Sequence, residues 1–244
     1  MSMQQSTWFI SDLHLDMKRP HIVQAFMQFL GEIRGQADSL YILGDLFEYW
    51  IGDDIVDTPA GQLVLPLLNG MRQLSDSGTE LYFTHGNRDF LIGEQFADMT
   101  DCQLLPEKQV IDLQGVPTLV MHGDTLCTDD LEYQELRKMF YNEDLRKQFL
   151  ALDIPGRQVE AARIREASLQ KVKEKSEEIM DVNQAAVESA MREAGVTQLI
   201  HGHTHRPAIH EFELDGEPAK RIVLGDWYDQ VSSLRVSQGQ FFLS

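Results

Sequence analysis

Short apolar runs in the first half of the chain break off abruptly into polar residues. "TWFIS" leads to Asp12, "SLYILGD" ends at Asp45, and "TELYFTHGN" ends at Asn87. Between them lie longer stretches with helical spacing, "HIVQAFMQFLGEIR" opened by Pro20, and residues 59–77. Strand-sized runs alternating with helix-sized amphipathic segments specify a parallel sheet covered by helices, because each parallel pair needs a crossover that packs back on the sheet. Further on, "KQVIDLQGVPTLVMHGD" reads as two strands turning at Gly115. "TQLIHG", "AIHEFEL", "RIVLGDW", "SSLRVS" and "QFFLS" return to strands near the end. From about Asp129 to Ala194 the spacing is helical, interrupted at "DIPG". The chain therefore reads as an α/β core over residues 1–128 and 195–244, with a helical insertion over 129–194 forming a lid within one domain.

At 244 residues the chain is long enough to bury a full core in one domain. Two cysteines give no disulfide framework and suit a reducing compartment. "MSMQQSTWFISDLHLD" lacks a basic region followed by a long apolar run, and no stretch reaches the ~20 apolar residues of a spanning helix. A cytoplasmic protein, at most peripheral on a membrane face, is expected. The formal charge of −18 argues against nucleic acid as a partner, since phosphate backbones reward Lys and Arg. That charge is unevenly placed. Residues 137–175 hold ten basic and six acidic residues, leaving 11 basic and 33 acidic elsewhere. A basic segment on an acidic body marks a place for an anion to dock.

Five strand ends carry potential metal ligands: Asp12 and His14, Asp45, Asn87, His122, and the pair His203 and His205. A lone histidine at a strand end is usually a hydrogen-bonded structural residue, and a lone Gly-Asp is usually a turn. Five such ends in register are another matter, because open α/β sheets assemble their sites at the carboxyl ends of strands. Carboxylate, amide oxygen and imidazole without thiolate suit Mn²⁺, Fe²⁺ or Zn²⁺. Seven ligands exceed what one open catalytic ion takes and match two ions sharing a carboxylate. Gly44, Gly86, Gly123 and Gly202 adjoin ligands and let backbone approach closely. His21, His85, His201 and His210 read as structural or exposed.

The set "DLH…GD…GN-D…H…GHTH" resembles the calcineurin-like metallophosphoesterase superfamily. Within it, "LYILGDLFEYWIGDD", "HGNRDFLIG", "HGDTLCTDD", "IMDVN" and "LIHGHTHRPA" are similar to the UDP-2,3-diacylglucosamine pyrophosphatases of lipid A biosynthesis in Gram-negative bacteria. The resemblance implies an αββα sandwich with a helical cap and two Mn²⁺ ions. One ion falls to Asp12, His14, Asp45 and His205, and Asp45 bridges to a second held by Asn87, His122 and His203. It implies hydrolysis of the UDP-linked diacylated glucosamine lipid to UMP and 2,3-diacylglucosamine 1-phosphate. The nucleophile is a hydroxide activated between the ions, attacking the α phosphorus at the cytoplasmic face of the inner membrane. Asp45, Asn87 and Arg88 fall on catalytic positions. Substrate contacts fall on Asn87, Arg88, Asp130, Ser168, Lys175 and His203, with Tyr133 a further candidate near the phosphate. The chain departs from the pattern at Val172, where relatives place an asparagine.

Arg88 stands where a plain phosphoesterase carries a second histidine. Expelling an alkoxide benefits from a general acid, whereas expelling a phosphate needs no proton. A fixed guanidinium that spreads charge over phosphate oxygens serves the second reaction. This favours pyrophosphate cleavage over a general phosphodiesterase or protein phosphatase, and the complete ligand set disfavours a decayed metal scaffold. The alternative role for Arg88 is a structural ion pair with Asp89. The insertion sets Phe140, Tyr141, Phe149, Leu150, Leu152 and Ile154 beside Arg157, Arg163, Arg165, Lys171, Lys173 and Lys175, a pattern suited to acyl chains and an anionic membrane surface.

Overall fold

The computed structural model describes residues 6–59, 61–172, 179 and 181–244, apart from the side chains of 167–172. Ser168 and Val172 as side chains, and Lys171, Lys173 and Lys175 as contact candidates, lie outside what is described. The first sheet runs in the order β11-β10-β1-β2-β3-β4. Its members are β1 (Ser6–Ile10), β2 (Ser39–Ile42), β3 (Glu80–Phe83), β4 (Cys102–Leu104), β10 (Leu234–Ser237) and β11 (Gln240–Leu243). Strands β1 to β4 are mutually parallel, and β10 joins β1 antiparallel. The second sheet is ordered β5-β6-β7-β9-β8, from β5 (Lys108–Leu113), β6 (Val116–Met121), β7 (Gln198–His201), β8 (Ala208–Leu214) and β9 (Glu217–Val223). Here β6, β7 and β9 run parallel.

Three apolar clusters explain the layering. Phe9, Tyr41, Leu43, Val120, Ile200, Ile222 and Leu234 come from both sheets and fill the space between them. On the outer face of the first sheet lie α1 (Pro20–Ile33), α2 (Leu65–Ser75) and α3 (Glu94–Thr100). Helix α1 shows why: Ile22, Phe26, Phe29, Leu30 and Ile33 repeat at three and four residues and are all buried. Each such side chain contributes about 1.5–3 kcal/mol of burial. On the outer face of the second sheet, α7 (Gln184–Ala194) buries Val187, Ala190 and Met191 against Leu119, Leu199 and Leu214. Helix, sheet, sheet and helix thus form the expected αββα sandwich.

Some boundaries differ from the sequence reading. Helix α2 starts at Leu65 rather than near 59, because Gly61 closes onto the 3-10 turn Asp53–Asp57, where a Cβ would sit 1.8 Å from the Ile55 carbonyl oxygen. Strand β4 is only three residues long and has no alternation to read. The insertion expected over 129–194 contains α4 (Leu131–Phe140), α5 (Glu143–Leu150) and α6 (Ile154–Val172), whereas α7, within the same bounds, packs on the second sheet and is capped by the Asn183 side chain. Asn142 likewise caps α5, accepting from the Asp144 and Leu145 N–H groups at 3.0 and 3.1 Å. Among the described residues no helix is long and apolar enough to cross a membrane.

Candidate metal centre

All seven predicted ligands lie just beyond the carboxyl ends of β1, β2, β3, β6 and β7, on loops that meet over one edge of the sandwich. The backbone there is unusual. Asp12, His14, Asp45, His203 and His205 hold φ values between 48° and 70°, five of the nine non-glycine residues with positive φ among the described residues. Three others, Gln114, Asp215 and Gln238, sit in hairpin turns before glycines that also have positive φ. Each left-handed conformation costs about 1 kcal/mol or more, so five in one cluster mark a site held together by its function. Glycines permit the close approach. A Cβ on Gly86 would lie 2.1 Å from Asp45 Oδ1, and one on Gly202 would lie 2.4 Å from Asp12 Oδ2.

The donor atoms fall into two groups that share Asp45. In the first, His205 Nε2 is 3.4 Å from both Asp12 Oδ1 and His14 Nε2, and His14 Nε2 is 3.9 Å from Asp45 Oδ2. In the second, His122 Nε2 is 3.2 Å from Asn87 Oδ1, 3.2 Å from His203 Nδ1 and 3.8 Å from Asp45 Oδ1. One carboxylate thus presents one oxygen to each group.

The residues fit divalent ions on the chemistry of these atoms. His122 Nδ1 donates to the Leu43 carbonyl at 2.8 Å, which leaves Nε2 aimed as a lone pair at other acceptors. His205 Nδ1 pairs with Asp226 Oδ2 at 2.9 Å, again turning Nε2 inward. Asp12 Oδ2 accepts from Ser11 Oγ at 2.5 Å and the His203 N–H at 2.8 Å, while the buried Oδ1 faces His205 Nε2 at 3.4 Å. Acceptors facing acceptors in a buried pocket require a cation between them.

Titration reflects the same crowding. Burial pushes the Asp45 carboxyl up to about 7, with His122 opposing and Asp89 and Asp12 adding to the rise. Burial, then the neighbouring His122, presses His203 down to about 3. Burial lowers His205, but hydrogen bonds to Asp12 and Asp226 more than offset it and raise the group to about 10. Burial raises Asp12 too, yet the hydrogen bond and charge of His205, with His122 and His14, hold it below the usual carboxylate range.

Arg88 enters through its backbone first: its N–H donates to Asp45 Oδ1 at 2.8 Å. Its side chain is half-buried, with Nε lacking a hydrogen-bond partner, and its charge acts on both His14 and Asp45. No ion pair joins Arg88 to Asp89 among the described residues. Asp89 instead accepts four backbone N–H groups, those of Leu46 (2.7 Å), Gly86 (2.9 Å), Asp45 (3.2 Å) and Phe47 (3.4 Å), and so staples two ligand loops together.

The other predicted contacts are mixed. The Tyr133 ring lies 5.5 Å from the His203 ring, but its hydroxyl donates to Asp124 Oδ2 at 3.0 Å. Asp130 is buried and caps α4 by accepting from the Tyr133 N–H at 3.0 Å. His85 Nε2 meets the Ile92 carbonyl at 2.7 Å, His201 is buried beside Arg221, and His21 and His210 are exposed, none of them joining the centre. Asp226, which orients His205, went unnoticed in the sequence, although its "LGD" after an apolar run matches that of Asp45.

Residues 6–207 match the calcineurin-like phosphoesterase family. The chain is 48% identical to the UDP-2,3-diacylglucosamine hydrolase of Nitrosococcus oceani over 239 residues, covering 98% of this chain and 94% of the relative. It is 50% identical to that of Chromohalobacter salexigens, covering 91% and 89%, and 49% identical to that of Shigella dysenteriae, covering 95% of each. The chain belongs to the calcineurin-like phosphoesterases and, within them, to the UDP-2,3-diacylglucosamine hydrolase family.

Proposed function

We propose that this enzyme hydrolyses the pyrophosphate bond of UDP-2,3-diacylglucosamine to UMP and 2,3-diacylglucosamine 1-phosphate, using two Mn²⁺ ions. The observation that carries the reading is Arg88, a cation without an ion-pair partner among the described residues, joined through its backbone to the shared carboxylate of a paired ligand set. Asp12, His14, Asp45 and His205 are the ligands of one ion, and Asp45, Asn87, His122 and His203 those of the other. When bound, such a pair neutralises a phosphoryl group and supplies a nucleophile from water at neutral pH.

The chain's own residues do the rest. Asp226 and Leu43 fix the histidine tautomers, and Asp89 sets the spacing of the ligand loops. Arg88 clamps the diphosphate and offsets charge on the leaving lipid phosphate, assisted by Lys175 from the cap. Asn87, Asp130, Tyr133, Ser168 and His203 complete the substrate contacts.

The cap helices α4, α5 and α6 are the acyl-chain and membrane-facing part. Phe140 stacks on Phe90 with ring centroids 5.0 Å apart, and Phe149 packs on the core, so these two dock the cap. Leu150 and Leu152 stay 38% and 43% exposed and are left for lipid, consistent with peripheral attachment at the cytoplasmic face of the inner membrane.

Release of UMP from the diacylated UDP-sugar with added Mn²⁺, compared with turnover of a small chromogenic phosphodiester, tests the reading. The expected result is Mn²⁺-dependent UMP release that far exceeds diester turnover. Preference for the diester indicates a general phosphodiesterase, and inactivity on both a metal scaffold.

A further inference from the structure

Helix α6 meets the core through two arginines, two helical turns apart, that reach the segment just after Asp45. Arg157 is buried and forms a two-point pair with Asp54, at 2.6 and 2.9 Å, while also donating to the Ile51 carbonyl at 3.1 Å. Its remaining donors satisfy the Leu150 and Leu152 carbonyls of the cap at 2.6 and 2.9 Å. Seven residues of the core, 48–54, are thereby the seat of the helix.

The second arginine, Arg165, pairs with Oε1 of Glu48. Glu48 is only 3% exposed, and a carboxylate that dry needs cationic partners. Its other oxygen, Oε2, accepts from Arg19 Nη2 at 2.5 Å. The same Arg19 nitrogen donates to the His14 carbonyl at 2.5 Å. The Arg19 guanidinium lies 4.8 Å over the ring of Tyr228, which stacks on His14 at 5.4 Å and 6°. The backbone continues the link. The Glu48 N–H donates to the Leu15 carbonyl at 3.1 Å, and the His14 N–H to the Asp45 carbonyl at 2.9 Å.

We propose that Glu48 is a positioning residue that couples seating of cap helix α6 to the His14 loop of the metal centre. One buried carboxylate holds an arginine of the cap and the arginine that fixes His14. Docking of α6 stiffens the loops that carry His14 and Asp45, and ordering of those loops by metal holds Glu48 in place for Arg165. By linkage the effect is reciprocal: metal favours a seated cap, and a seated cap favours metal. The proposal rests on the assignment of Asp12, His14, Asp45 and His205 as ligands of one ion.

Two measurements without substrate test it. Amide exchange of residues 154–166 is compared with and without Mn²⁺, in the parent and in Glu48→Gln. Mn²⁺ affinity is measured in Arg165→Met, whose changed side chain is no ligand and is partly exposed, so that the fold survives the change. Metal is expected to slow α6 exchange severalfold in the parent and not in Glu48→Gln. Arg165→Met is expected to weaken Mn²⁺ binding by about fivefold, at the low end of usual coupling between sites. Equal protection of α6 by metal in parent and Glu48→Gln, or unchanged affinity in Arg165→Met, overturns the proposal. A purely structural ion pair lowers the melting temperature without moving metal affinity. Failure of the parent itself to bind Mn²⁺ is the separate result that removes the metal assignment.

Discussion

Asp45→Asn is expected to abolish UMP release, by a factor on the order of 10³ or more, together with loss of bound metal. Asp45 offers an oxygen to both donor groups, 3.9 Å from His14 Nε2 on one side and 3.8 Å from His122 Nε2 on the other. An amide keeps one oxygen acceptor and loses the charge. The hydrogen bond from the Arg88 N–H survives, so the loop need not move. Stability should go the other way. Burial first, with His122 opposing it and the neighbouring Asp89 and Asp12 adding to it, pushes this carboxyl up to about 7, so at and above neutral pH the metal-free parent strains to keep it ionised. An acid with a raised folded pKa loses stability as pH rises from its unfolded value through the folded one, and Asn has no such loss. The metal-free variant is therefore expected to melt no lower than the metal-free parent at pH 7, while its activity is gone. Metal analysis, UMP release and a thermal melt on one preparation check all three points. Full activity with metal retained overturns the shared-ligand assignment.

Arg88→His is expected to keep the metal and lose most pyrophosphate turnover, roughly 10²–10³-fold, the usual effect of removing one fixed group that stabilises developing charge. Its backbone role is independent of side chain, so ligand geometry is retained. What disappears is a permanent charge close enough to act on His14 and Asp45, together with the planar fork that fits two phosphate oxygens. Histidine restores a possible proton donor, which a phosphate leaving group does not need. Metal content measured beside UMP release separates the clamp from a structural part. An active Arg88→His enzyme rules out the clamp, and a metal-free one makes the residue structural.

The seven candidate ligands were legible in the sequence because each stands within four residues of the end of an apolar run, where the strand stops and the chain turns over the sheet edge. Local pattern and function coincide there. Pro20 opening α1 and Gly115 in the β5–β6 hairpin were legible for the same local reason. The residues that hold the ligands were not. Asp89 binds residues 44 positions away in the chain, Glu48 meets Arg19 and Arg165, and Asp226 meets His205, all pairings made by folding rather than by spacing. Adjacency in the chain makes Asp89 a candidate partner for Arg88, but the backbone of the Asp45 loop claims it instead. Helix α7 shows a further limit. Its amphipathic face resembles those of the cap helices, and nothing in its own sequence says that the second sheet lies beneath it.

The central claim is a paired divalent centre formed by loops from both sheets. Crystals grown with Mn²⁺ and measured at the manganese absorption edge test it most directly. Two peaks are expected, about 3.5–4 Å apart. One should touch Asp12, His14, Asp45 and His205, and the other Asp45, Asn87, His122 and His203. A single peak, or manganese bound away from Asp45, contradicts it.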